Sequence, residues 1–116
     1  MEFTDSLKKN YEFRRLYQRG KSFARPCLVV YFRRNGSTEN RLGITVSNKV
    51  GNAVTRNHVR RRLREIYRLS EAQLKRGLDI VIVARIRGAN ADYAVLERDY
   101  LAACAKLGIF SGEKTE

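Results

Sequence analysis

The sequence is short of the groups that protein nucleases use. It has one histidine, His58, so the paired general acid and base of a metal-free ribonuclease are missing. Its 12 acidic residues lie scattered among 24 basic ones, with no D-x-D or D-x-E cluster to gather the ions of a two-metal site. Glu65 and Asp99 read as salt partners of arginine rather than as a catalytic pair. No catalytic residue and no metal ligand is therefore expected on the protein. Cysteine is scarce as well. Cys27 and Cys104 have no CxxC spacing and lie in apolar neighbourhoods, which points to buried, reduced thiols in a cytoplasmic protein. No run approaches the ~18 consecutive apolar residues of a spanning helix. Met1–Asp5 lacks the basic-then-apolar order of a signal peptide, so none is expected. Internal repeats and low-complexity tracts are absent too.

What the chain has in excess is arginine. Of its 24 basic residues 17 are arginine, and the formal net charge is +12. A balance of that kind calls for a polyanionic partner, nucleic acid or an anionic surface, and the planar guanidinium favours phosphate. With 116 residues the chain makes one domain, large enough to bury roughly two-thirds of its surface.

The charge is concentrated in Arg56–Arg68, with six arginines, His58 and a single acid, Glu65. At about 100° per residue, Val59, Leu63, Ile66 and Tyr67 share one side of a helix and must face a sheet. Asn57, Arg60, Arg61, Arg64 and Arg68 fall on the opposite side, with Arg56 and Arg62 flanking the apolar stripe. Like charges one turn apart destabilise a helix by a few tenths of a kcal/mol per pair. A merely solvated face would mix signs, so the row reads as a docking surface for phosphates. Upstream, Gly51-Asn52 has two readings. Asn52 caps the helix, or the glycine lets a nucleic-acid backbone approach the helix N-terminus.

The remaining elements follow from periodicity and punctuation. Residues 1–9 read as loose. Asn10 caps a helix to Arg19, ended by Gly20 as a left-handed residue. A short extended piece at Lys21–Ala24 precedes a strand at Cys27–Arg33, which starts after Pro26. A polar turn leads to a returning strand at Arg41–Ser47, with Leu42, Ile44 and Val46 on one face. The arginine helix ends near Leu69, and Asp79–Arg85 looks like a strand buried on both faces. Asp92 or Asn90 caps a last helix closed by Gly108, with residues 109–116 flexible. The order is α-β-β-β-α-β-α, a single-domain α+β sandwich. Phe13 and Tyr17 lie one turn apart on the first helix, and Tyr31 and Phe32 occupy opposite faces of a strand. Each is either core or a stacking platform for unpaired bases, with tyrosine the better platform.

The run Lys49-Val50-Gly51-Asn52-Ala53-Val54-Thr55-Arg56-Asn57-His58-Val59-Arg60-Arg61-Arg62-Leu63-Arg64-Glu65 closely resembles the signature of the bacterial ribonuclease P protein component. The similarity extends from Asn10–Tyr17 to the strand ending Ile82-Val83-Ala84-Arg85. It implies a fold like certain ribosomal-protein domains, with a left-handed β-α-β crossover, although the general rule favours the right hand. It also implies a partner RNA that carries the chemistry with Mg2+, held mainly by that RNA and its substrate, and removes the 5′ leader of precursor tRNA. Lys49, Asn52, Arg56, Asn57, Arg60, Arg61, Arg64 and Arg68 would then meet the catalytic RNA. Phe13, Tyr17 and Tyr31 match the positions that line a leader cleft. His58 departs from the arginine usual at its position and offers fewer donors. Charge and fold alone equally support a structural RNA-binding protein of ribosomal type. A duplex-DNA reader is disfavoured by a helix surface of nearly uniform arginine, which suits phosphate rather than base edges. No membrane partner is expected.

Overall fold

The computed structural model describes residues 1–112. Its elements are strand β1 (Thr4–Ser6), helix α1 (Asn10–Arg19), strands β2 (Lys21–Ala24), β3 (Leu28–Arg34) and β4 (Asn40–Thr45), helix α2 (Ala53–Ser70), strand β5 (Leu78–Ala84) and helix α3 (Tyr93–Leu107). They build one five-stranded sheet in the order β1-β4-β5-β3-β2. β4 pairs parallel with β1 and β5, while β3 pairs antiparallel with β5 and β2. β4, α2 and β5 thus form the β-α-β unit of the expected α+β sandwich. Among the described residues no helix is long and apolar enough to cross a membrane.

β5 lies at the centre and is apolar on both faces. Ile80, Ile82 and Ala84 enter the main core with Leu63 and Tyr67 of α2 and Leu96 and Tyr100 of α3. Val81 faces the other way, against Leu16 of α1 and Leu7. The stripe read from α2 is buried as expected: Val59, Leu63, Ile66 and Tyr67 are each at most 1% exposed. Such burial is worth roughly 1.5–3 kcal/mol per large aliphatic side chain. That outweighs the few tenths lost per like-charge pair on the outer face, so α2 tolerates its arginines. Cys27 and Cys104 are buried and outside any disulfide. Burial and the neighbouring Asp99 push the Cys27 thiol up, which keeps it protonated.

Several local features depart from the sequence reading. Residues 1–9 are tied down rather than loose. Glu71 accepts from the Glu2 N–H at 2.8 Å and the Phe3 N–H at 3.2 Å, and from the Thr4 hydroxyl. Leu7 is 6% exposed. β1 is short and polar, so no periodicity announced it, and its anchor lies far along the chain. α1 begins without Asn10 as its cap. Lys9 occupies that position, and the Glu12 carboxylate accepts from the Lys9 and Lys8 N–H groups at 3.2 and 3.4 Å. Gly20 has φ −78°, not a left-handed value. Glycine is needed there for space, because a Cβ would stand 2.6 Å from the Leu16 carbonyl oxygen and 2.9 Å from that of Phe32. At the other end Ile109 is 1% exposed and Phe110 bridges to Leu74, so the fold extends past Gly108. Residues 113–116, expected to be flexible, lie outside the described residues.

The Glu71 anchor has a pH signature. Burial pushes its carboxyl up, but the Thr4 hydroxyl and the Glu2 and Phe3 N–H groups outweigh that and hold it below the ordinary 4.5. A carboxyl depressed by folding stabilises fully above its unfolded value and loses that contribution as the pH falls through its folded one. The protection of the Ser6 and Leu7 amides relative to their intrinsic exchange rates should therefore fall selectively on acidification below about pH 4.5. Glu71→Gln should lower it already at neutral pH. Exchange that follows only global unfolding in both proteins would contradict the tether.

Candidate nucleic-acid interface

The start of α2 shows the capping role that is one of the two readings of Gly51-Asn52. The Asn52 Oδ1 accepts from the Thr55 N–H at 2.9 Å and caps the helix. A Cβ on Gly51 would come within 2.9 Å of the Thr55 Cγ2, so glycine permits the tight entry into the first turn. The arginines that follow divide into pinned and open groups. Arg56 donates to the Gly51 carbonyl at 2.9 Å, and Arg62 to the Ala91 carbonyl at 2.9 Å, fastening α2 to the loops at its flanks. Arg68 makes a two-pronged pair with Glu65 at 2.9 and 2.6 Å. That guanidinium holds the Glu65 carboxyl below its usual range. Arg60, Arg61 and Arg64 have no carboxylate partner among the described residues. Arg60 donates to Asn57 Oδ1, at 2.8 Å, within its own helix. Lys49, Asn52, Asn57, His58, Arg61 and Arg64 are exposed. The positive face therefore centres on Arg60, Arg61 and Arg64, with Lys49 and Asn57 toward its start and Arg68 partly neutralised at its end.

Beside this face an open groove of about 620 Å³ runs between α1 and the edge of β4. Phe13, Arg14 and Tyr17 of α1 line it with Ile44, Thr45 and Val46, and Arg60 of α2 closes its far side. Gly43 makes the arrangement possible. A Cβ there would sit 2.4 Å from the Phe13 ring, so the bare strand lets that ring lie on the sheet. Tyr17 is 39% exposed, and its hydroxyl lies 3.0 Å from the Thr45 Oγ1. Tyr31 packs edge-on against Tyr17 at 5.0 Å between centroids. It is half-buried on Leu16 and Val81 and backs the groove instead of lining it. Phe32 projects to the other face of the sheet and packs on the main core.

A charged lock holds α1 over the sheet. Arg41 donates to both carboxylate oxygens of Asp79, at 2.8 and 2.7 Å, and pairs with Glu12 of α1. Burial pushes the Glu12 carboxyl up, but the Lys9 and Lys8 N–H groups and Arg41 outweigh it and hold the carboxyl down. Phe13 follows Glu12 directly, so the lock also sets the aromatic wall. Sequence reading missed Arg41, Gly43, Arg14 and Thr45. A glycine inside a strand pattern is a sign of close approach, and Gly43 alone carried a usable signal. Asp99, read as a surface salt partner, is wholly buried, where it accepts from the Cys27 N–H at 2.9 Å and from Arg25 at 3.3 Å. Among the described residues no three His, Cys, Asp or Glu side chains converge as a metal cage.

The fold and this surface define an α+β sandwich protein with an open positive face along one helix and an aromatic groove beside it. The ribonuclease P family model matches residues 1–108. The chain is 43% identical over 96 residues to the ribonuclease P protein component of Natranaerobius thermophilus, covering 83% of this chain and 84% of that protein. It is 46% identical over 96 residues to that of Clostridioides difficile, covering 82% and 84%. Among solved structures, the Staphylococcus aureus RNase P protein superposes with a TM-score of 0.84 at 32% identity, covering 91% of this chain and 97% of that one. The Thermotoga maritima RNase P protein gives 0.77 at 32%, covering 84% and 93%. The chain belongs to the ribonuclease P protein family.

Proposed function

We propose that the open arginine face of α2 seats the catalytic RNA and that the aromatic groove takes the single-stranded 5′ leader of precursor tRNA. The chain is the protein subunit of the ribonuclease P ribonucleoprotein, which processes tRNA 5′ ends with the RNA carrying catalysis. The observation that supports the assignment of surfaces is the position of Arg60, which belongs to the α2 face and also walls the groove. RNA and substrate thus meet the protein side by side.

In this reading Lys49, Arg60, Arg61 and Arg64 neutralise RNA phosphates, Asn57 donates a hydrogen bond to them, and Arg68 adds the donors that Glu65 leaves open. Asn52 and Arg56 place the loop and the first turn for that contact. Phe13 and Tyr17 offer faces to leader bases, and Tyr31 braces Tyr17. Mg2+ bound by the RNA and the substrate supplies the Lewis-acid chemistry of phosphodiester hydrolysis. The protein raises the local share of correctly placed substrate and needs no acid or base of its own. The setting is the cytoplasm, where the buried thiols stay reduced.

Tyr17→Ala tests the groove with less loss of packing than a change at Tyr31. Base stacking is worth about 1–3 kcal/mol per base. In the holoenzyme the variant should bind leader-bearing precursor roughly fivefold or more weakly, and mature tRNA unchanged. An equal loss for both RNAs would assign Tyr17 a purely structural role.

A further inference from the structure

We propose that the leader track continues beyond the groove, over the outer face of α1 to the far end of the sheet, with Tyr11 as an additional stacking residue for upstream leader nucleotides. The inference rests on the leader reading of the groove and extends it along the outer face of α1.

Three concavities adjoin one another through shared residues. Arg14 lines both the leader groove and a shallow depression on the outside of α1, which is formed with Tyr11, Arg15, Gln18 and Arg19. Arg19 in turn lines that depression and a second groove, of about 480 Å³, at the far end. There Lys21, Arg34 and Lys75 surround an apolar floor that includes Phe32 and Leu107. An unpaired strand leaving the first groove over Arg14 thus meets a continuous line of guanidinium and ammonium groups.

Charge and aromatic placement both favour single-stranded nucleic acid on this line. Arg14, Arg15, Arg19, Lys21 and Arg34 have no carboxylate partner among the described residues. The only acid of α1, Glu12, is held inward by Arg41. Tyr11 is 48% exposed at the start of the strip. The Arg15 guanidinium stands 5.6 Å and the Lys9 ammonium 5.9 Å from its ring centroid. An exposed aromatic ring flanked by cations is the arrangement by which proteins stack a base while neutralising its phosphate. The 10-residue helix is about 15 Å long, enough to carry a few nucleotides.

The test compares holoenzyme binding of two precursors, one with a leader trimmed to the first groove and one with a long unstructured leader. Tyr11→Ala should weaken binding of the long-leader precursor about fivefold and leave the trimmed one unchanged. The triple variant Arg15→Ala, Arg19→Ala, Lys21→Ala should lower the salt dependence for the long leader only, by ~0.7 log unit for each phosphate no longer neutralised. Circular dichroism and thermal melting of the free variants check that α1 stays folded. Unchanged long-leader binding in both variants, or equal losses for both precursors, would overturn the extended track. The Tyr17→Ala variant in the same series separates the two claims. If it weakens the trimmed precursor while the outer variants do nothing, the groove reading stands and the extension fails. If it leaves the trimmed precursor unaffected, the groove reading itself fails.

Discussion

Replacing Arg60, Arg61 and Arg64 together by alanine should flatten the salt dependence of catalytic-RNA binding by ~0.7–0.9 log unit for each phosphate left without its cation. With all three on phosphates, that is a change of about 2–3 in slope and more than a tenfold loss of affinity at low salt. The expectation follows from geometry. These side chains lie off the buried Val59-Leu63-Ile66-Tyr67 stripe and have no carboxylate partner among the described residues, so their charge is available. Alanine also has a higher helix propensity than arginine, and removing like charges relieves α2. The variant should consequently melt no lower than the parent protein while binding RNA far more weakly. Arg62→Ala is the contrasting control. It removes the bond to the Ala91 carbonyl and should lower the melting temperature with a smaller effect on the salt slope. An unchanged slope in the triple variant would move the RNA surface away from α2.

The parts of the fold that the sequence disclosed are those governed by strong periodicity. The 3.6-residue pattern of α2 separated its buried stripe from its arginine face, and the apolar run Ile80-Val81-Ile82-Val83 marked the central strand. Both are elements whose own side chains decide their environment. β1 stayed hidden because Thr4-Asp5-Ser6 is polar and is anchored by Glu71. The site was legible to a similar degree. Phe13 and Tyr17 line the groove, and the arginines lie on the face assigned to them. The sequence did not distinguish open from pinned guanidiniums. Arg56 and Arg62 reach backbone carbonyls, and Arg68 is claimed by Glu65. The Arg68–Glu65 pair is local to α2, whereas the Arg62 partner depends on where a loop returns in space, which composition does not record. The lock of Arg41 on Glu12 and Asp79 joins three separate elements and is invisible for the same reason.

The central claim is a division of labour, in which the protein binds and positions while the RNA cleaves. The chain belongs to the ribonuclease P ribonucleoprotein, in which the RNA carries catalysis, and its one histidine cannot supply a paired general acid and base. Its +12 charge should instead offset phosphate repulsion between the catalytic RNA and its substrate. Without the protein that repulsion is screened by salt cations, Mg2+ among them. The protein's effect should therefore be largest at low Mg2+ and should shrink as Mg2+ is raised. The direct measurement is cleavage of a 5′-labelled precursor tRNA at low Mg2+ by the protein alone, the cognate RNA alone, and both together. The expected result is no cleavage with the protein, little with the RNA, and efficient leader removal at a single position with both. Cleavage by RNA-free protein, or a mixture no more active than the RNA alone, would contradict the account.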